Sequence, residues 1–189
     1  MPFSHARFDQ QQVAQIILDS LKKGKPVEIE GFGIFQPQKD GGFHFVALDA
    51  PRVFIGYAAE DAEKADQLYG QLLEAGFNPW MDRKNLKAGQ NWPRLIEAAI
   101  EASDFFVGCM SKNSVRKRGG FQSEIRYALD IALRLPLEDT FIIPIRFDDC
   151  RLPARIVREL QYIDFFPAWE EGLQHLTHAI QHQWVKRQP

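Results

Sequence analysis

Glu124 is the residue whose neighbours most suggest chemistry. It lies in "GGFQSEIRYALD", Gly119 to Asp130, where Phe121, Ile125, Ala128, Leu129 and then Ala132 recur at the spacing of a helix with one buried face. At about 100° per residue, Glu124 falls on the shoulder of that apolar stripe. Two roles suit a carboxylate there. It can be an acidic residue in the first helical turn, stabilised by the positive end of the helix dipole. Alternatively it is a partly desolvated carboxylate facing a ligand.

Other residues offer weaker signals. Asp82 follows Trp80 where a strand should end, and its simplest role is to cap the loop that starts there. Trp80 and Trp92 bracket that loop, either as packing or as rings able to stack a ligand. Arg116, Lys117 and Arg118 precede Gly119 as a solvated loop that could reach a phosphate beside Glu124. Asp148 and Asp149 are adjacent, so their side chains point apart, and without a third ligand no metal is expected. His175, His178 and His182 share one helical side without cysteine partners and read as an exposed polar stripe. No GxxxxGK, GxGxxG, HExxH or GxSxG pattern occurs.

The elements that must position these residues begin near Ala50. "RVFIGY" (Arg52–Tyr57), "FNPWMD" (Phe77–Asp82), "FFVGC" (Phe105–Cys109), "FIIPIRF" (Phe141–Phe147) and "YIDFF" (Tyr162–Phe166) read as five strands. Pro79 restricts the second of them to an edge or a bulge. Helical patterns alternate with them: Asp61–Leu73, a segment from near Pro93, the Glu124 helix, "RLPARIVREL", and Trp169–Val185. "RKNLKAGQN" reads as a loop. The expected fold of residues 51–189 is therefore α/β and flavodoxin-like, a five-stranded parallel sheet with helices on both faces. Ligands of such sheets gather at the carboxyl ends of the strands, where the Glu124 helix can begin.

Residues 1–50 differ. A helical pattern over Val13–Lys22 precedes two short strands about a Gly31–Gly33 turn, and one more follows Gly41–Gly42, giving a small α+β unit. So little apolar material is marginal alone, and the unit is expected to dimerise or dock.

Composition sets the outer bounds. The 189 residues are 45% hydrophobic and 25% charged, an ordinary globular make-up. A formal charge of −2 gives no electrostatic case for nucleic acid or anionic membranes. Cys109 and Cys150 are too few for a disulfide framework, and the N-terminus has no signal pattern. A cytoplasmic protein without a membrane partner is expected.

The order of these pieces resembles a TIR domain in its bacterial form, over about Arg52 to Phe166. The resemblance rests on "FIGY", the "G-x-x-x-W-x-D" leading into "L-x-x-G-x-x-W", "AIEASDFFVGCMS", the helix carrying Glu124, and "IIPIRFDDCRLP". Each is weak alone; together, in one order, they are specific. Many TIR domains hydrolyse NAD+, and the resemblance puts the catalytic glutamate at Glu124. Cleavage of the nicotinamide–ribose bond passes through an oxocarbenium-like state that one carboxylate can stabilise. The resemblance further implies substrate-binding roles for Tyr57 and Ala58 after the first strand. It also implies them for Asp82, Leu86 and Trp92 on a gating loop, and for Ser111 and Phe121. Ala58 and Gly120 depart from the family, which often carries a basic residue and an aromatic there; Phe121 could substitute one position later. No cofactor is implied, since NAD+ is the substrate.

"QQVAQIILDSLKKGKPVEIEGFGIFQPQ" is similar to a shortened HU/IHF unit, without that family's basic DNA-embracing arm. Five basic residues against six acidic ones in residues 1–50 leave no DNA grip, so oligomerisation is the expected role.

Three functions follow. One is an NAD+ glycohydrolase, giving ADP-ribose or a cyclic variant, activated by assembly and serving anti-phage defence. A second is a non-enzymatic module joined through TIR–TIR contacts, and a third is a DNA sensor that regulates the domain. An activator protein is compatible with each, and the first is the main expectation.

Overall fold

Alternate residues of the central strands face opposite cores. Val53 and Ile55 join one buried cluster and Phe54 the other; Phe105, Val107 and Cys109 oppose Phe106 and Met110. This period-two division is what a sheet covered on both faces requires. The computed structural model describes residues 10–29, 33–38, 41–47, 49–87, 89, 91–116, 119–136 and 138–187. Gly31 of the expected hairpin turn, and Lys117 and Arg118 of the basic run, lie outside them. The chain divides between Ala50 and Pro51 into two units.

In the first unit, helix α1 (Gln10–Lys22) accompanies an antiparallel sheet of β1 (Val27–Ile29), β2 (Gly33–Pro37) and β3 (Phe43–Ala47), in that order. Phe35 sits opposite Phe45, with ring centroids 4.7 Å apart, and Phe43 packs against it edge-on. Only Leu21 and Val46 are buried hydrophobics among the unit's described residues, while Val13, Ile16, Leu18, Phe43 and Phe45 are exposed.

The second unit holds β4 (Arg52–Gly56), α2 (Ala62–Glu74), β5 (Asn78–Trp80), α3 (Asp82–Asn85), α4 (Trp92–Glu101), β6 (Phe105–Met110) and α5 (Gly120–Ala132). β7 (Ile142–Arg146), α6 (Ala154–Glu159), β8 (Ile163–Asp164) and α7 (Trp169–Arg187) complete it. The five strands form one sheet in the order β5-β4-β6-β7-β8, and every pairing is parallel. One face packs on α2 and α7 through Ala65, Leu68, Leu72, Leu176 and Ile180. The other packs on α4, α5 and α6 through Ile100, Phe121, Ile125, Ala128, Leu129 and Ile156.

Three details differ from the sequence-based expectation. β5 is only three residues long, Asn78–Trp80, though its place at the edge is one that Pro79 allows. The expected fifth strand shrinks to two residues, which pair only with Ile145 and Arg146. An ion pair from Arg146 Nη2 to Asp164 Oδ2, at 2.8 Å, fixes that short pairing. The segment read as a loop after Asp82 begins with a turn of helix, closed by Leu86 N–H donating to the Asp82 carbonyl at 2.8 Å.

α7 lies close on β8. A β-carbon at Gly172 would stand 2.6 Å from the Asp164 carbonyl oxygen and 2.9 Å from Phe165 Cα. These are backbone atoms that cannot swing away. Gly172→Ala should therefore cost about 1–3 kcal/mol, read as a lower denaturation midpoint in urea.

Candidate active site

The cavity at the carboxyl ends of β4, β5 and β6 follows from where each strand stops. Tyr57 and Ala58 continue β4, Asp82, Arg83 and Leu86 follow β5, and Ser114 lies beyond β6. Trp92 opens α4, and Gly120, Phe121 and Glu124 belong to the start of α5. Together they line a cavity of about 730 Å³. It adjoins the β4–β6 boundary, where the strand order reverses, the crevice that ligands of such sheets use.

Glu124 is half-buried in its wall. α5 starts at Gly120, so Glu124 is its fifth residue rather than part of its first turn. That corrects the dipole expectation, because the helix field fades beyond the first turn. Burial instead dominates, and the nearby charge of Asp82 adds to it, raising the Glu124 carboxyl from an ordinary 4.5 to about 7. Among the described residues no hydrogen bond or ion pair offsets this. The close fit depends on Gly56, the last residue of β4. A β-carbon there would stand 2.7 Å from Phe106 Cζ and 3.3 Å from Glu124 Oε2.

Asp82 is held from two sides. The Tyr57 hydroxyl donates to its Oδ1 at 2.5 Å, and the Arg83 backbone N–H donates to the same oxygen at 2.6 Å. Burial, with the Asp82 bond and charge, raises the Tyr57 phenol, so it stays a donor. Lys84 Nζ, 3.3 Å from Asp66 Oδ2, ties α3 to α2 as well. The segment proposed from sequence as a gate is thus anchored at its first turn. Phe121 is mostly buried in the core beneath the cavity, whereas Trp92 is 53% exposed at its mouth.

Ser111 is not among the residues lining the cavity. It is fully buried, and its hydroxyl donates to Asp61 Oδ2, while the N–H groups of Asn113 and Ser114 donate to its Oγ, each at 3.1 Å. Ser114 Oγ accepts the Ser111 N–H at 2.7 Å, so this knot shapes the loop from below. Lys112 is exposed and donates its N–H to Asp148 at 3.0 Å, which gives Asp148 a structural role. Sequence reasoning missed Gly56, Asp61 and Ser114. A buried acid within "AAEDAEK" looks like any helix-start acid, and only the knot with Ser111 singles it out.

A family model described as "TIR domain" matches residues 53–177, and the chain belongs to that family. Its structure is similar to the TIR domain of the Toll-related receptor TRR-2 from Hydra magnipapillata, with 23% identity and a TM-score of 0.57. That match covers 68% of this chain and 97% of the other. A prokaryotic SEFIR domain matches with 20% identity and a TM-score of 0.55, over 69% of this chain and 99% of that one. The TIR domains of the activated Roq1 resistosome match with 20% identity and a TM-score of 0.54, over the same shares. At these identities the likeness is one of fold. A search of curated proteins finds no match.

The raised Glu124 carboxyl has a consequence for stability. Between its ordinary 4.5 and about 7 the folded protein keeps a proton that the unfolded chain has released. The contribution of this site is therefore full below the lower value and lost as pH rises through the upper one. Glu124→Gln should raise the unfolding free energy little near about pH 5 and clearly near about pH 8, by on the order of 1–3 kcal/mol, read from urea denaturation at each pH. A gain independent of pH would mean that the carboxyl is not held out of water.

Proposed function

We propose that this TIR domain is an NAD+ glycohydrolase and that Glu124 is its catalytic carboxylate. The observation that carries this is a half-buried carboxylate, with no offsetting partner among the described residues, on the wall of a roomy cavity at the strand ends. The reaction breaks the bond between the ribose C1′ and the nicotinamide nitrogen. The bonding electrons leave with the ring, whose positive charge they neutralise, so no general acid is needed. Water then adds to C1′ and releases a proton, giving ADP-ribose; capture by a nitrogen of the adenine would instead give a cyclic product. Glu124, when ionised, stabilises the positive charge that builds on the ribose. Arg83 and the backbone N–H groups at the start of α5 supply positive potential for the pyrophosphate.

Tyr57 and Asp82 serve this site by position. Asp82 lies near enough to raise the Glu124 carboxyl, and Tyr57 holds Asp82 there. Assembly raises activity in this proposal. The exposed apolar residues of the first unit, Val13, Ile16, Leu18, Phe43 and Phe45, support self-association through it, as the HU-like resemblance implies. Contacts through the Asp82–Trp92 segment would align neighbouring TIR domains. Defence against phage by NAD+ depletion fits the bacterial form of the family, and no helix among the described residues is long and apolar enough to cross a membrane.

The test is nicotinamide release from NAD+ across a range of protein concentrations. Glu124→Ala should reduce release about 100-fold or more while leaving the melting curve folded. Release per protomer should rise with concentration. Self-association without any nicotinamide release, even in concentrated protein, would instead favour a module used only for contacts.

The pH profile gives a second test. kcat/KM should fall as pH drops below about 7, because protonated Glu124 cannot stabilise a cation. Asp82→Asn should move that inflection to lower pH by removing a neighbouring negative charge.

A further inference from the structure

A cavity of about 420 Å³ opens between the loop that follows β7, α6 and the residues leading into β8. It shares no lining residue with the Glu124 cavity. Its size lies within the range of small-ligand sites. Arg146, Arg151 and Arg158 line it together with Tyr162, and no carboxylate is among its lining residues. Positive groups gathered on one concave wall raise a potential that draws anions.

That potential comes from arrangement, not from an excess of charge. Between Arg146 and Asp164 the three arginines and Arg155 are matched in number by Asp148, Asp149, Glu159 and Asp164. The acids are committed elsewhere. Asp164 Oδ2 holds Arg146 Nη2 at 2.8 Å, Glu159 pairs with Arg155 at 3.4 Å, and Asp148 accepts the Lys112 N–H. Asp149, 83% exposed, stands 3.9 Å from Arg146. Among the described residues this leaves Arg151 and Arg158 without an ion pair. Arg158 Nε donates to the Ala154 carbonyl of its own helix at 3.2 Å, and its terminal nitrogens have no partner among those residues.

Arg146 has a different part. Its guanidinium lies 4.7 Å from the centre of the Tyr162 ring and 5.1 Å from that of Phe166, and Nη1 donates to the Cys150 carbonyl at 3.0 Å. Fixed and already neutralised, it forms a wall and leaves the grip to the other two. Cys150 and Leu152 are buried beside it and give the cavity an apolar side. Two exposed guanidinium groups match the roughly two negative charges of a phosphate monoester, and each presents the fork that its oxygens accept. The apolar side and the Tyr162 ring suit an organic group carried by that phosphate.

We propose that this cavity is a second ligand site, which takes a small phosphate monoester. Arg151 and Arg158 grip the phosphate, and the organic part lies against Tyr162 and Leu152. The site stands apart from the reading of Glu124 as a catalytic carboxylate.

The probes are adenosine monophosphate, ribose 5-phosphate and inorganic phosphate, with adenosine as the uncharged control, titrated calorimetrically into the full-length protein. Both esters should bind the wild type. Arg151→Gln and Arg158→Gln should each weaken them at least about tenfold. Melting curves should not change, because both side chains are exposed and neither has an ion pair to lose. Arg158→Lys, which keeps the charge without the fork, should recover part of the affinity. Adenosine affinity should be the same in wild type and variants, and Arg83→Gln, in the Glu124 cavity, should leave ester binding in place. Tighter binding of adenosine monophosphate than of ribose 5-phosphate would set a base against Tyr162; equal affinity would assign the site to the sugar phosphate. Inorganic phosphate binding as tightly as either ester would overturn the part given to Tyr162 and Leu152. No ester binding at millimolar concentration, or binding that Arg83→Gln removes and the other two variants leave intact, would overturn the site.

Discussion

The approach of Glu124 to the backbone of β4 is the constraint around which the candidate site is arranged. Gly56 carries no side chain, so Oε2 can lie within 3.3 Å of where a β-carbon would be, and the Phe106 ring occupies the space beneath. Those contacts hold the carboxylate partly out of water, and a charge so held is expensive. The cost is met by the surrounding fold, because the same Phe106 belongs to the core that packs α5 onto the sheet. Displacing the glutamate from the wall would mean loosening the helix that carries it.

Around that carboxylate the supports are graded in burial. The Asp61–Ser111–Ser114 knot is buried and fixes the loop after β6. Asp82 is held by a phenol and a backbone N–H, both nearer solvent. Trp92, at the mouth, is the most exposed of the large hydrophobic side chains there. Burial thus declines from the sheet outward, which suits a site whose inner wall must be preformed and whose rim must admit a ligand.

Much of the fold could be read before the structure. The apolar runs at Arg52, Phe105 and Phe141 are long enough to name buried strands, and the helical stripes between them set the alternation that makes the sheet parallel. Strand ends were less legible. Tyr162–Phe166 is apolar throughout, yet only Ile163 and Asp164 reach β7, because partner geometry and not composition decides pairing. The four residues of α3 are polar and too short for a stripe, so they read as loop. For the site, family resemblance drew Glu124, Tyr57, Asp82, Leu86 and Trp92 together, and they do line one cavity. It did not separate Ser111 from Ser114, since both follow β6 and only packing tells which faces inward. Gly56 had no signal at all. A glycine at a strand end is common, and its meaning lies in two atoms distant in sequence.

The parallel sheet has one further property, set by its prolines. Pro79 stands in the edge strand β5, and Pro144 stands in β7 just before the residues that β8 covers. Each is a position where an incoming strand would look for an N–H donor and find none. Copies of this domain brought close together are thereby discouraged from joining their sheets edge to edge. Contact is left to side chains on helices and loops, which can part again. An edge without those donors offers a fibre no regular ladder to extend.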